Sequence, residues 1–159
     1  MKVVFDTNIL VSALIFPGGR ADAALRRIVE EQDQLVISKP ILEELLRVLG
    51  SKFSRDHEEL AHVAVFVSEL AHTVHPRRRL QVVKDEPDNR ILECALAARA
   101  EAIVTGDRAL LALREYGGVR IISFATISRR PSIICPSCKS SDSTALHPAS
   151  SADASTIES

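Results

Sequence analysis

Val3-Val4-Phe5-Asp6-Thr7-Asn8 decides how this chain is read. Three apolar residues in succession, with no polar alternation, describe a strand buried on both faces, as in a parallel sheet, and place Asp6 at its carboxyl end. Open α/β sheets bind their ligands beyond that edge. Asp6 is therefore the first candidate functional carboxylate, and its partners must come from elsewhere in the chain.

Composition bounds what the chain can be. The 159 residues are 46% hydrophobic and only 4% aromatic, with no tryptophan, so one domain must build its core from Leu, Ile, Val and Ala. A net charge of -1 excludes a whole-protein basic field, and any contact with nucleic acid has to be local. No run reaches the length of a membrane span, the first residues lack a signal-peptide pattern, and three cysteines make no disulfide framework. A cytoplasmic protein with no membrane association is expected.

Outward from the first strand, Ile9 to Phe16 reads as a short helix broken by Pro17-Gly18-Gly19. Ala21 to Gln32 is helical, with Ala21, Ala24, Leu25, Ile28 and Val29 on one face. Leu35 to Ser38 is a second strand, and the helix after Pro40 runs to Gly50. A helix over 56–71, a short strand over 73–75, a helix from about Pro87 to Ala100, a strand over 102–105, a helix over 108–116 and a strand over 119–123 follow. This order predicts an α/β fold: three layers, α/β/α, with a central, Rossmann-like parallel sheet of four or five strands. From about residue 131 serine, alanine and proline dominate and periodicity is lost, so residues 1–130 are expected to fold and 131–159 to form a disordered tail.

Four carboxylates fall just past a strand or early in the next helix: Asp6, Glu44, Asp88 and Asp107. On the helix after Pro40, Ile41, Leu42, Leu45, Leu46, Val48 and Leu49 form one apolar arc, from which Glu43 and Arg47 point away. Glu44 falls at its border, where a side chain can look into a cleft or simply face solvent. Asp85-Glu86-Pro87-Asp88-Asn89 precedes a strongly apolar helix, and capping explains one of its carboxylates but not three. Asp107 suits an N-cap as well as a cation ligand, with Gly106 allowing a tight turn beside it. Asp6 is likewise open to a capping role.

These stretches, VVFDTNILVSAL, VISKPILEELLRVL and DEPDNRILECALAARAEAIVTGDRALL, resemble the PIN-domain ribonucleases over residues 1 to 127, and within them the toxins similar to VapC of bacterial toxin-antitoxin systems. The resemblance implies a PIN-like fold in which Asp6, Glu44, Asp88 and Asp107 bind Mg2+ or Mn2+ and support hydrolysis of single-stranded RNA. It makes Asn8, Ser38 and Thr105 supporting polar residues, and it implies an antitoxin partner and a homodimer. A helix after the last strand is common in the family, whereas Ser123 to Arg130 reads as leading directly into the tail. Physical chemistry agrees on the metal: clustered carboxylates raise one another's pKa unless a hard, oxygen-seeking cation is present, and with no His or Cys among the four, zinc is disfavoured.

Lys39, Lys84, Arg90 and Arg108 neighbour these acids and are candidates for holding phosphates. Arg77-Arg78-Arg79 is a denser cluster in a loop, open to solvent, RNA or an acidic partner. The five histidines show no ligand spacing, Cys94 reads as core, and Cys135-Pro136-Ser137-Cys138 is a lone pair of thiols in the tail. Two other readings compete with the nuclease. A haloacid-dehalogenase-type phosphatase also starts with a strand ending in aspartate but wants a second aspartate where this chain has Asn8. A PIN-like binding module without turnover has no need of an intact acidic set.

Overall fold

The computed structural model describes residues 1–129. In chain order the elements are β1 (Lys2–Phe5), α1 (Thr7–Ile15), α2 (Arg20–Val29), β2 (Gln34–Ser38), α3 (Lys39–Lys52), α4 (His57–Leu70), β3 (His72–Val74), α5 (Glu86–Ala98), β4 (Ala102–Thr105), α6 (Arg108–Leu113), β5 (Glu115–Tyr116), β6 (Val119–Ser123) and α7 (Phe124–Ser128). They form the expected α/β architecture around one six-stranded sheet of order β3-β2-β1-β4-β6-β5. Every pairing is parallel except β5 with β6.

The uninterrupted apolar strands occupy the middle of this sheet for the reason their sequences gave. β1 lies between β2 and β4, with Val3 paired to Leu35 on one side and Ala102 on the other. Val3, Val4, Ile103 and Val104 have no exposed surface, because helices cover both faces. The chain steps from β1 outward to β2 and β3, then returns across the sheet to β4 and on to β6. Right-handed crossovers therefore put α1 to α4 on one face and α5 on the other, where α5 packs on β1, β2 and β4. The order reverses between β1 and β4, which opens a crevice beyond their carboxyl ends. Asp6 and Asp107 stand at those two ends.

The structure departs from these expectations at several points. The helix expected over 108–116 stops at Leu113: Arg114 takes φ 58°, and Glu115–Tyr116 pairs antiparallel with Val119–Arg120. Gly117 and Gly118, at φ 59° and 84°, supply the two left-handed residues that a two-residue hairpin loop of type I′ demands, so the glycine pair closes a hairpin and adds a sixth strand to the four or five expected. Ser123 to Arg130 does not run straight into a tail, since Phe124–Ser128 forms α7 and anchors it with fully buried Ile127. The third strand starts one residue early, at His72, and α3 passes Gly50 to end at Lys52; Val29, expected on the buried face of α2, is largely exposed.

Among the described residues no helix is long and apolar enough to cross a membrane. The expected tail from residue 131, with Cys135, Cys138 and His147, lies outside the described residues.

Candidate metal centre

Asp6 is both the end of β1 and the N-cap of α1. Its backbone N–H donates to Val104 O at 2.9 Å, tying it to β4, and its Oδ1 accepts the Asn8 backbone N–H at 3.0 Å. Its other oxygen, Oδ2, accepts the Thr105 hydroxyl at 2.6 Å. That hydroxyl in turn accepts the Asp107 backbone N–H at 2.9 Å. Fully buried Thr105 thus joins the two strand ends on either side of the crevice through one oxygen atom.

Asp107 caps α6, its Oδ1 accepting from Ala109 N at 2.7 Å and Leu110 N at 3.0 Å. Capping and ligand binding do not compete here, because both cap bonds use the same oxygen and Oδ2 accepts none of the hydrogen bonds found among the described residues. Gly106 plays no part through its conformational freedom: it has no left-handed φ, and a Cβ there would meet nothing within 4 Å.

Asp88 sits half-buried in the first turn of α5 and makes neither a cap bond nor an ion pair among the described residues. Its carboxyl is pushed from the ordinary 3.8 up to about 6, first by burial and then by the charges of Asp107, Asp6 and Asp85. Burial also raises Asp6, against the hydrogen bonds from Thr105 and Asn8, and Asp107 adds to the rise. Asp6, Asp88 and Asp107 are therefore close enough to repel one another, and none of them has a lysine or arginine partner among the described residues. Even so, among the described residues no three His, Cys, Asp or Glu side chains already surround a single point as a ready ligand set.

Glu44 takes the border position expected of it, while Glu43 and Arg47 on the same helix are exposed. Its carboxylate is held by Arg47, with Nη2 at 2.6 and 2.7 Å and Nε at 3.0 Å. It lines a cleft of about 480 Å³ between the N-terminal turns of α3 and α5, whose other walls include Thr7, Arg79 and Arg90. Glu44 does not figure among the charges acting on Asp6 or Asp88.

The supporting residues divide. Thr105 acts through its side chain, Asn8 through its backbone N–H with the amide itself exposed, and the buried Ser38 hydroxyl, which has no oxygen or nitrogen partner among the described residues, lies against the Cys94 thiol. Among the cations, Lys39 pairs with Glu43, and Arg90 bonds both Glu86 and Glu93. Lys84 and Arg108 are exposed without an ion pair among the described residues.

Asn89 has a role that went unassigned from the sequence. It is buried, its Oδ1 accepts from Val82 N at 2.8 Å and Val83 N at 3.0 Å, and its Nδ2 donates to Val83 O and Asp85 O. It fastens the segment before α5 to the turn that carries Asp88. The available signal was its spacing, three residues before Leu92 and four before Glu93, which puts a polar amide on the buried face of a helix.

Residues 2–109 match the PIN domain family, a span that begins at β1 and takes in all four acids. The chain belongs to the PIN domain family. Its members are nucleases, and this PIN domain is 32% identical over 119 residues to the uncharacterized protein MJ1680 of Methanocaldococcus jannaschii, covering 72% of this chain and 76% of that one. Its fold resembles VapBC2 from Rickettsia felis, solved bound to a DNA fragment from their promoter, with a TM-score of 0.56 and 17% identity over 77% of this chain and 98% of that one. VapBC-1 from nontypeable Haemophilus influenzae is similar at a TM-score of 0.54 and 16% identity, over 79% of this chain and 99% of that one. At these identities the likeness is one of fold.

Proposed function

We propose that this PIN domain is a metal-dependent endoribonuclease acting on single-stranded RNA, and the toxin of a pair whose antitoxin is a separate protein. The observation that carries the reading is the meeting of Asp6, Asp88 and Asp107, uncompensated by any cation among the described residues, at the crevice between β1 and β4. Carboxylates that raise one another's pKa suit a hard divalent cation, and their oxygens are the donors that Mg2+ or Mn2+ prefers. Asp6, Asp88 and Asp107 would hold it, with Glu44 contributing from the neighbouring cleft. Bound there, such an ion supplies an acidified water and stabilises charge on the leaving oxygen of a phosphodiester.

The chain's own residues prepare that site. Thr105 fixes the rotamer of Asp6, the amides of α6 fix Asp107, and Asn89 fixes the turn beneath Asp88. Lys84 and Arg108, without ion pairs among the described residues, would be available to phosphates, while Lys39 and Arg90 would have to exchange a glutamate for them. The VapBC assemblies among the structural neighbours support an antitoxin partner, and the exposed Val65 and Phe66 of α4 support a contact between two copies of this chain.

Purified protein is expected to cleave single-stranded RNA with Mg2+ or Mn2+, to stop on addition of chelator, and to lose activity as Asp6→Asn with its fold intact. Full activity in Asp6→Asn, or hydrolysis of a small phosphomonoester without cleavage of RNA, would overturn the proposal.

A further inference from the structure

The arginine run is the sequence feature that the metal centre leaves unexplained. Arg77, Arg78 and Arg79 are exposed, and none has a hydrogen bond or ion pair among the described residues, although Arg47 and Arg90 nearby are both taken up by glutamates. The segment from Pro76 to Leu80 separates two clefts. Arg79 faces the one that holds Glu44 and Thr7, the latter adjacent to Asp6. Arg77 and Arg78 line the other, a cleft of about 500 Å³ between this segment and α5.

That second cleft is amphipathic in a specific way. Leu80, Leu96 and Ala97 give it an apolar floor, and His75, Arg77 and Arg78 give it a basic rim. Buried Glu93 fixes its shape: Oε1 accepts the Leu80 backbone N–H at 2.7 Å and also bonds Arg90, so one carboxylate ties the arginine segment to α5. Because Glu93 lines one cleft and Arg90 the other, this pair forms the wall between them. The volume suits a nucleotide, whose base wants an apolar surface and whose phosphates want unpaired guanidinium groups.

We infer that the cleft between Pro76–Leu80 and α5 is a nucleotide subsite for single-stranded RNA, in which Leu80, Leu96 and Ala97 receive a base while Arg77 and Arg78 hold the flanking phosphates. The strand then continues past Arg79 toward the aspartates. This rests on the nuclease reading for the direction of the strand, and the unpaired charge of the run selects a polyanion over a neutral ligand.

The test is binding of a fluorescent single-stranded oligoribonucleotide to the full chain in chelator, followed by anisotropy across a salt series, with cleavage of the same RNA in Mn2+ measured separately. Replacing both arginines, Arg77→Ala with Arg78→Ala, is expected to weaken binding about tenfold at low salt and to flatten the log-log salt slope by about 1.4, at about 0.7 per lost phosphate contact. Ala97→Phe, which fills the floor without removing charge, is expected to weaken binding several-fold with the slope unchanged. Unchanged affinity in both variants overturns the subsite, as does loss in the arginine variant alone with polyglutamate competing as well as RNA, which marks a diffuse charged patch. Wild-type cleavage with unaltered binding in the variants refutes the subsite and leaves the nuclease standing. The expected binding losses without cleavage by the wild type support the subsite and refute the nuclease.

Discussion

Replacing Asp88 by asparagine should stabilise the metal-free protein, and the size of the gain follows from the geometry. The folded state holds this carboxyl at about 6 instead of 3.8, since ionising it places a charge beside Asp107, Asp6 and Asp85 in a partly desolvated turn. At about 1.36 kcal/mol per pH unit the ceiling is about 3 kcal/mol. Asp88 is only partly buried, so solvent screening reduces this to about 1 kcal/mol. The sign is fixed by linkage. Below pH 3.8 the group is protonated in both states and nothing is lost on folding. As pH rises from there to about 6 the unfolded chain ionises first and the wild type loses stability, and above that the loss is complete and constant. Asp88→Asn should therefore match the wild type near pH 3.5, show about half of its advantage at pH 5 and all of it at pH 7.5, where it amounts to about 3–5 °C in melting temperature for a domain of this size. Circular-dichroism melts in chelator measure this, and millimolar Mg2+ should narrow the gap by stabilising only the wild type. An advantage equal at pH 3.5 and pH 7.5, or no advantage at either, would refute the claim that like-charge repulsion and burial act on Asp88.

Two positioning residues give further checks. Thr105→Val keeps the shape but removes the donor to Asp6 and the acceptor for the Asp107 amide. It should cost about 1–3 kcal/mol in urea denaturation and lower RNA cleavage at least tenfold, and an active, fully stable variant would show the hydroxyl bridge to be idle. Asn89→Ala strips the hydrogen bonds that hold Val82, Val83 and Asp85 against α5. It should cost about 1–3 kcal/mol and speed amide exchange at Val82 and Val83, so unaltered exchange at those amides would rule out the fastening role.

Much of this was readable in the sequence because burial leaves a direct mark. Val3-Val4-Phe5 and Ala102-Ile103-Val104 are apolar without alternation only where helices cover both faces of a parallel sheet, and a parallel sheet sends every strand end to one edge. That is why Asp6 and Asp107, a hundred residues apart, are legible as neighbours. The hairpin at Gly117-Gly118 leaves no mark of a strand pair in the sequence, since two residues, Glu115–Tyr116, are too few to show a period. Phe124–Ser128 was hidden similarly, a single helical turn anchored by one residue, Ile127. Within the site, the sequence shows which groups are carboxylates but not which oxygen is spent. Only the fold reveals that Asp107 caps with Oδ1 alone, that Asp88 caps nothing, that Glu44 is engaged by Arg47, and that Thr105 and Asn89 hold the acids in place.

Metal-dependent cleavage requires Asp6, Asp88 and Asp107 to act together on one cation. Calorimetric titration of Mn2+ into the wild type and into Asp6→Asn, Asp88→Asn and Asp107→Asn at pH 7.5 tests it. Saturable binding by the wild type, weakened at least tenfold by each single substitution, is expected. Equal binding by all four proteins, or none by the wild type, would contradict a cation site shared by the three aspartates.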